Sequence, residues 1–96
     1  MNPETYLRRK IFIMLKNEFP CAWVYHPTDL WRSGVPDFLI CHRGYFIAIE
    51  VKTPKGSVSR LQHYTLEKIK GASGIIGVAR SVEEARKIMR EISENK

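Results

Sequence analysis

The chain is predicted to be an α/β domain: a mixed sheet with a central β-hairpin and a parallel βαβ crossover, helices packed on the sheet, in the order α-β-β-β-α-β-α. Three observations predict it. Two short apolar runs flank Arg43-Gly44, and a two-residue turn containing glycine is a hairpin signal. The apolar, partly β-branched run Ile75 to Ala79 follows the hairpin after one helix-length segment. It suits a buried strand parallel to the one before it, joined by a right-handed crossover. Three amphipathic segments also begin with helix-capping residues: Asn2, Ser59 and Ser81.

Taken in order, Asn2-Pro3-Glu4 supplies an N-cap, a proline at the first helical position and an acidic first turn. That helix should run to Glu18 or Phe19, ended by Pro20, with Leu7, Ile11, Met14 and Leu15 as its buried stripe. Ala22 to His26 reads as a short strand, and Pro27 to Gly34 as a loop. In the hairpin, Tyr45, Ile47, Ile49 and Val51 share the core face, while Phe46, Ala48, Glu50 and Lys52 share the other. Ser59 with Gln62 fits a capping box for a helix closed by Gly71. Ser81 with Glu84 fits a second, whose helix buries Val82, Ala85, Ile88, Met89 and Ile92.

Composition narrows the function classes. A chain of 96 residues with 44% hydrophobic and 27% charged residues is one ordinary globular domain, 1–96, rather than a disordered or collagen-like polymer. The net charge of +6 favours an anionic partner such as nucleic acid. No apolar run is long enough to span a membrane, and no signal-peptide pattern is present, so a cytoplasmic protein without a membrane partner is expected. Cys21 and Cys41 stand apart in apolar surroundings and are expected to be small buried hydrophobes in a reducing compartment.

The chemistry concentrates on the hairpin. With Arg43-Gly44 as its turn, Asp37 falls opposite Glu50 on one face, where two like charges normally repel across a ladder. Lys52, two residues beyond Glu50, lies on the same face. Two carboxylates beside a lysine suit a hard divalent cation such as Mg²⁺, which keeps several waters and binds through one or two carboxylates plus substrate phosphate. The Val51 carbonyl is a candidate third ligand. Lys52 would orient a water or stabilise the oxyanion that develops on a phosphodiester. The alternative is a solvated ion-pair cluster of little consequence. Glu4 is either a capping carboxylate or a group aimed at this site, and Gln62 is either a capping residue or a site residue.

Gly34-Val35-Pro36-Asp37, then Glu50-Val51-Lys52, then Ser59-Arg60-Leu61-Gln62 opening a helix occur in that order, with a glutamate at the start of helix one. Together they resemble the PD-(D/E)XK nuclease superfamily and, within it, the VRR-Nuc family in its stand-alone viral and bacterial form. The resemblance implies a restriction-endonuclease-like core and a Mg²⁺-dependent DNA endonuclease in which Mn²⁺ substitutes. It implies Asp37 and Glu50 as metal ligands, Lys52 as the catalytic lysine, and Gln62 and Glu4 as auxiliary site residues, Glu4 near the metal. A homodimer that cuts branched DNA, as Holliday-junction resolvases do, with a role in repair or recombination and a cytoplasmic location (the host's if viral), is the corresponding expectation. The rivals are a non-catalytic nucleic-acid-binding module and a nuclease for linear duplex.

Candidate phosphate contacts are Arg8, Arg9 and Lys10 on the first helix and Lys55, Arg60, Lys68 and Lys70 around the second, against a merely solvated basic face. Trp31 and Arg32 are candidates for stacking on or clamping a strand, although a tryptophan also serves as a core plug. His26, His42 and His63 lack zinc-site spacing and are expected to be structural or surface residues.

Overall fold

The computed structural model describes residues 1–27 and 33–94. The expectations for Trp31 and Arg32 lie outside the described residues. The observed order is α1 (Pro3–Glu18), β1 (Trp23–Tyr25), β2 (Phe38–His42), β3 (Tyr45–Val51), α2 (Arg60–Gly71), β4 (Ile75–Ala79) and α3 (Val82–Glu94), the predicted order. The Asn2 side chain accepts a hydrogen bond from the Thr5 N–H at 2.8 Å, and Pro3 opens α1 as the sequence requires.

The four strands form one sheet in the order β1-β2-β3-β4, antiparallel from β1 to β3 and parallel between β3 and β4. The hairpin turns through Arg43 and Gly44 at φ 53° and 85°, the left-handed pair of a type I′ turn whose twist matches the strands. Pairing then runs from His42↔Tyr45 to Phe38↔Ile49 without a bulge. That register carries Asp37 to the level of Glu50.

Strand alternation sorts the sheet into two faces. Val24, Ile40, Ile47 and Ile75 are neighbours in register, and they join Phe38, Ile49 and Val51 under α1 and α3. Ile11, Met14 and Leu15 of α1, with Ala85, Met89 and Ile92 of α3, close this core. On the other face α2 packs on β4 and buries Leu66. Ala48 and Glu50 are buried there as well, so β3 is covered on both sides, as a central strand should be.

Toward β1 the second face stays open. Trp23 and Tyr25 stack with ring centroids 5.9 Å apart, yet remain 61% and 47% exposed. Cys41, paired with Trp23 and Phe46, shares that face and is exposed, and so is Cys21 before β1. The expectation of two buried thiols is therefore corrected: alternation turns Cys41 away from the core, and Cys21 belongs to the turn after Pro20.

Two helix ends also differ from expectation. Gly71 is the last residue of α2 rather than its terminator; the chain reverses through Ser73 at φ 74°, and the Gly74 N–H returns to the Ile69 carbonyl at 2.8 Å. Ahead of α3, Ser81 Oγ accepts from the Glu84 N–H at 3.1 Å. Glu84 in turn accepts from the N–H of Arg80, at 2.7 Å, one residue earlier than a standard capping box.

Candidate active site

The site forms where β2 begins and β3 ends. Pro36 is fully buried, and its fixed φ delivers the chain to β2 without an N–H to satisfy. Asp37 Oδ2 accepts a hydrogen bond from the Val51 N–H at 2.8 Å, which ties the start of β2 to the end of β3. Gly34, at φ 83°, precedes it; a Cβ there would stand 2.6 Å from Leu61 Cγ. The G-x-P-D stretch thus passes hard against the first turn of α2, where only glycine fits.

Glu50 is 2% exposed, and its Oε2 has no hydrogen-bond partner. Burial, then the hydrogen bond and charge of Asp37, raise its pKa from 4.5 to about 9, against the lowering influence of Lys52 and the Val51 backbone. Near neutral pH the metal-free pair therefore carries a proton on Glu50, which relieves the repulsion that the register imposes.

Cations and a third carboxylate complete the cluster. The Lys52 N–H bonds to the Ala79 carbonyl at 3.1 Å, extending the β3–β4 pairing by one residue, and Lys52 Nζ lies 3.9 Å from Glu4 Oε1. Arg8 Nη1 stands 3.5 Å from Glu4 Oε1 and 3.7 Å from Asp37 Oδ1. Lys52, Glu4, Arg8 and Asp37 so form one chain of alternating charge, with Glu50 beside Asp37 at its end. Among the described residues no three His, Cys, Asp or Glu side chains converge closely enough to hold a metal alone. Asp37 and Glu50 are a pair, and Glu4 faces the two cations.

The remaining sequence-predicted residues distribute unevenly. Gln62 Oε1 accepts from the Ser59 N–H at 2.9 Å while Ser59 Oγ accepts from the Gln62 N–H at 3.1 Å, so the capping reading is realised in full. Lys55 lines a concavity with Asn2, Pro3 and Glu4. Arg9 joins Arg8 and Asp37 in another. Lys10 Nζ lies over the Tyr6 ring at 5.1 Å, and Arg60 is exposed at the start of α2. His42 is buried, 3.0 Å from Ser93 Oγ and edge-on to Phe19, where it joins α3 and α1 to the hairpin.

Two contributions escaped the sequence reading. Arg80 Nη1 donates to the carbonyls of Thr53 and Gly56 at 2.8 and 2.6 Å, pinning the loop that follows Lys52. No pattern marks an arginine for that task. His26, expected to be a bland residue, packs on Phe38 with ring centroids 4.7 Å apart and lines the same concavity as Asp37. Only the sheet pairing brings it there.

The fold is a mixed sheet flanked by helices, with a carboxylate pair and a lysine at adjoining strand ends. A family sequence model described as "VRR-NUC domain" matches residues 6–83, and the chain belongs to that family. A solved structure described as "VRR_NUC domain" superposes with a TM-score of 0.69 at 22% identity, covering 86% of this chain and 94% of the other. No curated protein matches the sequence. The matched segment contains Asp37, Glu50, Lys52 and Gln62, and it begins after Glu4.

Proposed function

We propose that this domain is a divalent-metal-dependent DNA endonuclease that hydrolyses phosphodiester bonds and selects branched or junction-like DNA as a homodimer. The observation that carries the reading is the Glu50 carboxylate: buried, with an unpartnered oxygen, beside the Asp37 carboxylate and flanked by Lys52. A buried polar atom without a partner costs roughly 1–3 kcal/mol, and more for a charged group. A site that keeps one is built for something to fill it. Asp37 and Glu50 fit Mg²⁺ or Mn²⁺, whose other ligands would be waters, the substrate phosphate and a backbone carbonyl such as that of Val51. When bound, such an ion polarises the phosphoryl oxygen and lowers the pKa of a coordinated water.

The chain's own residues do the rest. Deprotonation of Glu50 readies the pair for a cation. Lys52, held by Glu4 and by the backbone bond to Ala79, presents its ammonium to the attacking water and to the charge that develops on the phosphate. Gln62 fixes the start of α2 through its reciprocal cap with Ser59, next to Leu61, against which Gly34 packs. The exposed stacked pair Trp23 and Tyr25, with Phe46 and Cys41 beside it, supports a subunit contact. A homodimer presents two sites for paired cuts. Two exposed free thiols suit a reducing cytoplasm.

The test is nicking of supercoiled plasmid, linear duplex, flap and four-way junction by wild type, Asp37→Ala and Lys52→Ala in Mg²⁺, Mn²⁺ or EDTA. Metal-dependent cutting lost in both variants, and strongest on the junction, is expected. Cutting in EDTA, or equal cutting by all three proteins, overturns the mechanism. Binding without cutting identifies a non-catalytic module, and preference for linear duplex overturns the substrate assignment. Sedimentation showing a monomer at the assay concentration removes the paired cut.

A further inference from the structure

Beside Asp37 the surface falls into a concavity of ≈ 580 Å³ between α1 and the chain leaving β1, lined by Thr5, Arg8, Arg9, Phe12, His26, Pro27 and Asp37. Its chemistry is divided. Arg8 and Arg9, with Thr5 hydrogen-bonded to the Arg8 guanidinium at 3.1 Å, make one wall cationic. The other is aromatic: Phe12 lies parallel to the buried Phe38 at 6.3 Å and 11°, and His26 tilts onto the same ring. We propose that this concavity is a nucleotide subsite, taking the phosphate on Arg8 and Arg9 and the base against Phe12 and His26, for the nucleotide next to the bond cut at Asp37.

This assignment rests on the nuclease reading and deepens it. Size comes first, because a groove of this volume has room for one nucleotide. The two walls match the two halves of a nucleotide, since guanidinium forks pair with phosphate oxygens and aromatic faces stack on any base. Position comes third: Asp37 lines the concavity and also belongs to the carboxylate pair, so an occupant there lies beside that pair. A base held this way must first be unstacked, so the subsite favours frayed or branched DNA without any sequence reading.

The experiment is a titration of the full chain in EDTA, followed by NMR of the His26 ring and the backbone amides, with deoxyadenosine 5′-monophosphate, deoxyadenosine or inorganic phosphate. Saturable shifts at Arg8, Arg9 and His26 are expected from the nucleotide, with affinity about tenfold above that of phosphate alone. Arg9→Ala is expected to weaken nucleotide binding by about tenfold, the loss of one charge-assisted contact. His26→Ala is expected to bring the nucleotide down to the affinity of phosphate. Equal affinity for nucleotide and phosphate, undiminished binding by Arg9→Ala, or no saturable shift at His26 overturns the subsite. Because no metal or cleavage is involved, a protein that cuts DNA yet fails here loses only the subsite. One that binds nucleotide here and never cuts keeps the nucleotide site but loses the nuclease reading, and with it the site's place beside a cut bond.

Discussion

Replacing Glu50 by glutamine tests the electrostatic core of the site directly. In the folded, metal-free protein Glu50 titrates near 9 instead of 4.5. For a raised carboxyl the folded state binds the extra proton, so its contribution to stability is complete below about pH 4.5 and is lost as pH rises toward 9. The slope across that window is ~1.4 kcal/mol per pH unit, and by pH 7 the accumulated loss reaches roughly 3 kcal/mol. Glutamine keeps the shape, donates to Asp37 and does not titrate. Urea unfolding of wild type and Glu50→Gln in EDTA, from pH 5 to 9, should give a difference curve that climbs in favour of glutamine. His26 and His42, whose pKa values burial lowers, titrate alike in both proteins and cancel. A flat difference curve, or a glutamine variant less stable at every pH, would refute the assignment of Glu50 as a buried protonated partner of Asp37.

Three further outcomes follow from the geometry. Arg8→Ala removes a guanidinium that competes for Glu4 and Asp37, so Mn²⁺ binding measured by calorimetry should tighten several-fold, as expected for losing two weak ion pairs; weaker binding would show that Arg8 assists the cation. Ser59→Ala should destabilise by ~1 kcal/mol through the lost cap and leave Mn²⁺ affinity unchanged in the same calorimetric assay. Arg80→Ala frees two carbonyls of the loop after Lys52, which should cost ~1–3 kcal/mol in urea unfolding and raise hydrogen exchange at residues 53–56. Unchanged exchange there would show that the loop holds itself.

The hairpin shows why so much of the fold was legible. Arg43-Gly44 admits a tight left-handed turn, the turn sets the register, and the register alone brings Asp37 beside Glu50. Each step is local, or follows from period-two alternation, so a linear reading carries it. The capping signals at Asn2 and Ser59 worked for the same reason: the groups they satisfy lie within one turn of helix. Cys41 failed because alternation says which residues share a face and not which face a helix will cover.

What the sequence by itself determined is therefore the order of elements, the register of the hairpin and the company of Asp37, Glu50 and Lys52. The tertiary structure decided the rest. It set Arg8 and Glu4 of α1 against the strand ends, carried His26 into the concavity beside Asp37, and left one Glu50 oxygen buried without a partner. These are contacts between segments far apart in the chain, fixed by how helices pack over a sheet. No local pattern encodes them, because the free energy that selects them is the burial of apolar surface elsewhere, under α1 and α3.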